Sequence, residues 1–292
     1  MANSQGIFIN KGVFFKFFIL FSITVFLTLL VTPVIAIVAN QNPTSVGIIK
    51  ITQLIMSIVI LIIPPFVLAY LCSDNTLQFL HLNKKINLMD VFFVFLFMLI
   101  VIPFVNLLSD LNHQLVLPKA MVGLETWMKN SEENATQLTV KLLNVHNIQG
   151  LIFNVFLISM IPAFGEELFF RGAIQGVMQQ KLNIKVAIWI TAIIFSTIHL
   201  QFYGFLPRML LGAFFGYLLF WSENIWLPIA AHFTNNFIAI LFYYFKNNGY
   251  KLPDIDSVGT GNTLWLGLAS GSLAVFGFFW LKKRFQTGIV NL

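Results

Sequence analysis

Residues 91–109 read VFFVFLFMLIVIPFVNLLS, with no Asp, Glu, Lys or Arg among them. A run of about 20 apolar residues, wound as a helix, is long enough to cross the hydrocarbon core of a bilayer. The run does not alternate polar and apolar as a membrane barrel strand does, and lipid offers a backbone no partners outside its own helix. Working outward, comparable charge-free stretches occupy approximately 17–38, 54–73, 186–206, 225–245 and 263–281. Two further stretches, 148–180 and 205–222, are apolar but carry Glu166, Glu167 and Arg171 in the first and Arg208 in the second. The eight segments predict an all-α, polytopic transmembrane helical bundle. Composition agrees: of 292 residues, 58% are hydrophobic and 10% charged, whereas soluble domains sit near 45–50% and about 25%. With 33 Phe and a mean hydropathy of +0.85, a water-soluble fold is excluded. An enzyme, a transporter and a scaffold would all give these totals.

The net charge of +6 reads as topology, because the basic residues stand at the ends of apolar runs; no nucleic-acid surface is implied. Lys11 and Lys16 precede the first span, and Lys84 and Lys85 lie between the second and third. Lys181 and Lys185 lie between the fourth and fifth, and Lys282, Lys283 and Arg284 follow the last. With eight spans these four places share one side, which the positive-inside rule makes cytoplasmic. A multi-pass protein of the cytoplasmic membrane with both termini inside is expected. The run from Phe17 to Val38 is long for a signal peptide and reads as an uncleaved first span. Cys72 is alone in the chain, so no internal disulfide forms, and its apolar neighbours suit a small buried side chain. The polar stretch Ser109–Gln149 would be extracytoplasmic; within it 123–143 reads equally as an interfacial amphipathic helix or as a solvated connector. Three parts are expected: 1–147 with three spans and the polar loop, 148–245 as the functional core, and 246–292 with the last span and a basic tail.

Ionisable side chains near the bilayer centre cost about 3 kcal/mol each on insertion scales. The second half of the chain has a group of them. In Gly165-Glu166-Glu167-Leu168-Phe169-Phe170-Arg171, the adjacent glutamates point about 100° apart on a helix and cannot share a role. Glu167 and Arg171, four apart, can pair on one face and neutralise each other. Glu166 faces elsewhere. The next span holds Phe195-Ser196-Thr197-Ile198-His199, and a later one holds His232-Phe233-Thr234-Asn235-Asn236. Taken singly, each His is as well explained by packing, and the ion pair by helix locking. Together they share a depth: Glu166 lies fifteen positions before Lys181 and His199 fourteen after Lys185, so both stand about 20 Å above the same turn. His232 and Asn236 share a helix face, and a helix starting at Pro228 after an extended Ile225-Trp226-Leu227 lifts His232 to about 16 Å.

Such a set has the parts for amide hydrolysis. A glutamate can act as general base toward water and then as acid toward the leaving amine. Imidazoles can position that water or bind a metal that acidifies it, and an Asn amide can donate to an oxyanion. There is no His-Glu-x-x-His helix and no Gly-x-Ser-x-Gly elbow, which sets aside the common zinc and serine hydrolases.

In this order and spacing, Glu166-Glu167-x-x-x-Arg171, Phe195-x-x-x-His199 and His232-x-x-x-Asn236 resemble the CPBP family (CAAX proteases and bacteriocin-processing enzymes, also called the Abi family), which includes the type II CAAX prenyl endopeptidase. Arg208-x-x-x-Gly212-x-x-x-Gly216-Tyr217 and Ile225-Trp226-x-Pro228-x-x-x-x-His232 are similar to the family's pattern too. The likeness covers about residues 150–240. It implies an intramembrane endopeptidase with a helical bundle around a polar cavity open to the cytoplasm. It implies as substrate a membrane-embedded or membrane-anchored polypeptide. By the same resemblance Glu166 activates the water, His199 assists or ligates, and His232 with Asn236 stabilises the oxyanion, while Glu167 and Arg171 support them. A divalent metal such as zinc on Glu166, His199 and His232 is one version, in which Glu167 becomes the candidate base; a metal-free glutamate site is the other. A non-catalytic scaffold or bacteriocin-immunity protein is the leading alternative, and a proton-coupled transporter is a weaker one. Gly212-x-x-x-Gly216 is expected to pack inside the bundle rather than to dimerise, and Arg208 could hold a substrate carboxylate but, near a span end, is expected at the headgroups.

Overall fold

The computed structural model describes residues 5–41 and 45–290; the side chains of residue 41 and residues 287–290 are not described. The expectation of cytoplasmic termini falls on chain ends that lie outside the described residues. Every regular element described is helical. In chain order the longer helices are α1 (Val13–Gln41), α2 (Val46–Cys72), α3 (Leu88–His113), α4 (Val122–Leu143), α5 (Ile148–Met178), α6 (Ile184–Thr197), α7 (Phe205–Ser222), α8 (Trp226–Asn247) and α9 (Leu264–Val290).

Short polar side chains start these helices by accepting from free amides of the first turn. Ser45 accepts from Ile48 N, Asn87 from Met89 N, Asn147 from Gly150 N and Asn183 from Lys185 N. Two π-helical stretches, Ile58–Ile62 in α2 and Val155–Met160 in α5, each precede a proline, Pro64 or Pro162. Proline withholds an amide and crowds the carbonyl four residues back, and a widened turn relieves both.

Six helices, α1, α2, α3, α5, α7 with its lead-in turn, and α9, are long and apolar enough to cross a membrane, against eight predicted segments. All eight segments contain helix, but two fall short of that measure. α6 stops at Thr197, so the predicted 186–206 span is only 14 residues of helix. α8 is 22 residues long but carries His232, Thr234, Asn235 and Asn236. Both feed the polar centre described below. α1 turns Phe14, Phe18, Phe21, Phe26 and Leu29 outward, an arrangement that lipid solvates and water would not.

Basic residues from the four places named above lie at one end of the bundle. Lys16 donates to Gln180 Oε1 at 3.0 Å, joining the start of α1 to the end of α5. Lys84 pairs with Glu223 at 3.6 Å and Asn224 donates to the Lys85 carbonyl. Arg284 pairs with Asp90 at 2.7 Å, joining the end of α9 to the start of α3. The polar stretch 123–143 is helical, and it caps the opposite end: Glu132 accepts from Tyr203 N, and Trp127 packs on Phe202. Between the ends, one apolar core joins α3, α7, α8 and α9 through Phe97, Phe214, Leu218, Trp221, Leu227 and Leu281. A second joins α1, α2, α5 and α6 through Leu20, Leu68, Phe170, Val177 and Phe195.

Candidate functional site

The middle of α5 separates its two glutamates. Glu166 closes a proline-started α-helical turn, and Glu167 begins a nine-residue π-helical stretch, Glu167–Gln175. Glu167 is fully buried. Its Oε1 accepts from Arg171 Nη1 at 2.9 Å and from His232 Nδ1 at 2.9 Å. Arg171, also fully buried, donates a second bond from Nη2 to the Gly212 carbonyl at 2.9 Å and lies 4.5 Å from the Phe195 ring centroid. One helical step on, Gln175 donates to the Gly216 carbonyl at 3.2 Å. Gly212 and Gly216 therefore pack inside the bundle, against α5 and α6. A Cβ at Gly212 would stand 3.1 Å from both Arg171 Nη2 and Phe195. At Gly216 it would stand 2.6 Å from Gln175 Oε1 and 3.0 Å from Ile188. Small residues let the helices approach, and they also bare the carbonyls that the α5 side chains need.

Glu166 points the other way, into a cavity of about 360 Å³ lined by Ile158, Pro162, Phe195, His199, Arg208, Leu211, Phe215, His232, Asn235 and Asn236. Its Oε2 lies 3.9 Å from His199 Nε2 and 3.8 Å from His232 Nε2. The other ring nitrogens fix the tautomers. His199 Nδ1 is 2.7 Å from the Phe195 carbonyl, which only accepts, so Nδ1 carries the hydrogen. His232 Nδ1 faces the Glu167 carboxylate and carries its hydrogen in the same way. In neutral rings, both Nε2 atoms then turn lone pairs toward Glu166 Oε2, itself an acceptor buried without a hydrogen bond in the structure. Three acceptors at such separations call for a proton donor or a cation between them. Beside them, Asn235 donates to Asn236 Oδ1, and Asn236 Nδ2 donates to the Ile158 carbonyl at 3.3 Å. Phe215 stacks on His232 with centroids 5.4 Å apart and holds the ring edge-on to the cavity.

The four side chains Glu166, His199, His232 and Asn236 line one cavity, and Glu167 and Arg171 stand behind it. Two local expectations need correction. His199 is not within a helix: α6 ends at Thr197, and His199 sits in the following turn, where its ring satisfies a carbonyl freed by the helix end. Nor is there an extended lead into α8. The helix begins at Trp226, with Ile225 already helical at φ −68° and ψ −18° and Pro228 tolerated in the first turn. The rise from Asn224 to His232 is therefore about 12 Å.

Three residues were missed or misplaced. Arg208 lines the cavity instead of reaching the headgroups, because the turn Phe202–Gly204 folds α7 back so that its first turn faces inward. Asn235 lines the cavity beside Asn236. Gln175 was recoverable, since it continues the four-residue ladder of Glu167 and Arg171.

Glu166, His199 and His232 offer the donor types of a zinc site, and each imidazole has its other nitrogen engaged, as metal ligands do. Their spacing is wider than the ligand–ligand edge of about 3.3 Å that tetrahedral zinc imposes. Among the described residues no group of three or more His, Cys, Asp or Glu side chains is placed to hold a metal ion.

Comparison with known proteins locates the same region. The family model described as "Type II CAAX prenyl endopeptidase Rce1-like" matches residues 148–238. The Bacillus subtilis (strain 168) protein named "Putative membrane peptidase YdiL" is 30% identical over 95 residues, covering 32% of this chain and 39% of that protein. "Uncharacterized protein YpbD" of the same organism is 27% identical over 118 residues, covering 39% of this chain and 56% of the relative. The chain thus spans about half or less of the curated relatives it matches. No solved structure matches it significantly.

Proposed function

We propose that the chain, whose residues 148–238 match the type II CAAX prenyl endopeptidase Rce1-like model, is a CPBP-type membrane protease: an intramembrane endopeptidase acting on membrane-associated polypeptides through a water activated by Glu166. One observation carries the reading: Glu166 Oε2, His199 Nε2 and His232 Nε2 converge as acceptors inside an apolar bundle. A water donating to two of them is held and oriented. Glu166 takes one of its protons as the water oxygen bonds to the scissile carbonyl carbon. The oxyanion receives the Asn236 amide and, when its ring carries a second proton, His232 Nε2–H; Glu167 supports that imidazolium from the far side. Glu166 then passes its proton to the leaving amine as the carbon–nitrogen bond breaks.

A divalent metal on Glu166, His199 and His232 would supply an acidified water at the same place. The observed spacing of 3.8–3.9 Å from Glu166 Oε2 to the two imidazoles exceeds a metal-ligand edge of about 3.3 Å, which favours the metal-free route. The four basic sites at one end are assigned to the cytoplasm by the positive-inside rule. A cluster that only locked helices would pair its charge at hydrogen-bond distance, as Arg171 and Glu167 do at 2.9 Å; Glu166 Oε2 makes no hydrogen bond, lies 3.8 Å from the His232 imidazole and faces a cavity. The test is cleavage of membrane-derived peptides by the purified protein in lipid nanodiscs. Undiminished hydrolysis by Glu166→Ala and His199→Ala proteins would overturn the assignment.

A further inference from the structure

Arg208 is the cation of the cavity. Its guanidinium lines the same space as Glu166 and His199, and it is held there by Gln201: Nη1 donates to the Gln201 carbonyl at 3.2 Å and Nη2 to its Oε1 at 2.9 Å. Gly204 makes room for it, since a Cβ there would stand 3.0 Å from Nη2. Both partners of Arg208 are neutral, and among the described residues it forms no ion pair; Glu132 and Glu166 act on it only from farther away. Arg171, by contrast, is bonded to a carboxylate at 2.9 Å and has no surface left. Two arginines within one bundle thus have opposite finish. Each makes two hydrogen bonds, but Arg171 has its charge matched within the protein, whereas Arg208 meets only neutral acceptors and lines the cavity with donors to spare.

We propose that Arg208 is a specificity-determining residue that binds a carboxylate of the polypeptide substrate. The inference rests on the proteolytic reading for its substrate class. A guanidinium presents paired donors in a fork that a carboxylate matches with two parallel bonds, and in a cavity inside the bundle, partly screened from bulk water, those bonds are stronger than at the surface. Anchored by Gln201, the fork is already oriented before the substrate arrives. The carboxylate has two sources in a polypeptide, the free chain end or an acidic side chain, and the chemistry Arg208 reads is common to both.

The experiment uses the full chain in nanodiscs and two peptide pairs: a transmembrane peptide with a free C-terminal carboxylate against its C-terminal amide, and an amidated peptide with Glu against Gln at each of its last four positions. Binding is read by fluorescence anisotropy and cleavage by kcat/KM. The wild-type protein favours the carboxylate member of at least one pair by about tenfold or more, and the pair that shows it names the source. In Arg208→Gln, which keeps a donor but loses the charge, that preference falls to within about twofold, while Arg208→Lys retains part of it. Equal losses for both members of each pair would mean that Arg208 serves only to offset Glu166, and would overturn the proposal. So would a wild-type protein that shows no preference in binding. A carboxylate preference in binding with no cleavage of any peptide would uphold Arg208 and strike down the protease reading instead.

Discussion

The seam between α5 and α7 and the cavity next to it are both polar, both inside apolar helices, and differ in one respect. In the seam charge meets charge and side chains reach across to carbonyls: Arg171 bonds Glu167 and Gly212, and Gln175 bonds Gly216, although Glu167 Oε2, Arg171 Nε and Gln175 Oε1 are left without a partner. In the cavity, acceptors meet acceptors around Glu166, and Arg208 keeps donors in hand. Polarity inside a membrane bundle thus divides into groups that hold the protein together and groups that wait for something else. A charge paired at hydrogen-bond distance, as Arg171 is with Glu167, tells them apart where burial does not.

Substitutions on either side of that division should read out differently. The largest effect is expected at Glu166: Glu166→Gln should lower kcat by about a thousandfold or more, roughly 4 kcal/mol of barrier, while the unfolding midpoint in mixed detergent moves little. A comparable loss of stability there would place Glu166 in the seam. Arg171→Leu should do the reverse, costing about 3–5 kcal/mol because it strands the buried Glu167 carboxylate; retained thermal stability would break the comparison. Gly216→Ala should cost about 1–3 kcal/mol by pushing Gln175 and Ile188 aside, measured by the same denaturation. Smallest is Ser159→Ala, which removes a bond from Oγ to the Phe233 carbonyl at 2.9 Å that ties α5 to α8, at about 1 kcal/mol.

The bundle was legible in the sequence because apolar runs and their polar starts obey local rules. Asn87, Asn147 and Asn183 begin helices where their side chains reach first-turn amides, and the predicted runs follow. The four-residue spacing of Glu167 and Arg171 gave their pairing directly. Where α6 ends was not legible: Ile198 and Leu200 are as apolar as what precedes them, and the break depends on Leu200 at φ +54° and on Ser196 reaching the Phe205 carbonyl across the turn. The start of α8 depends likewise on Asn224, which accepts from Trp226 N and is itself positioned by Ser222. For the site, the residue types and their order brought Glu166, His199, His232 and Asn236 into view, but the direction of Arg208 did not follow. An arginine near a span end has the same sequence whether it reaches for headgroups or for Gln201.

The bond between Arg171 and Glu167 lies within one helix, while its neighbours come from elsewhere. α5 is synthesised ahead of α7 and α8, and membrane helices enter the bilayer individually before they associate. At that moment neither the Gly212 carbonyl nor His232 exists nearby, and Arg171 has Glu167 alone. The spacing of four residues therefore makes α5 insertable on its own, and the later helices arrive at an ion pair that is already formed.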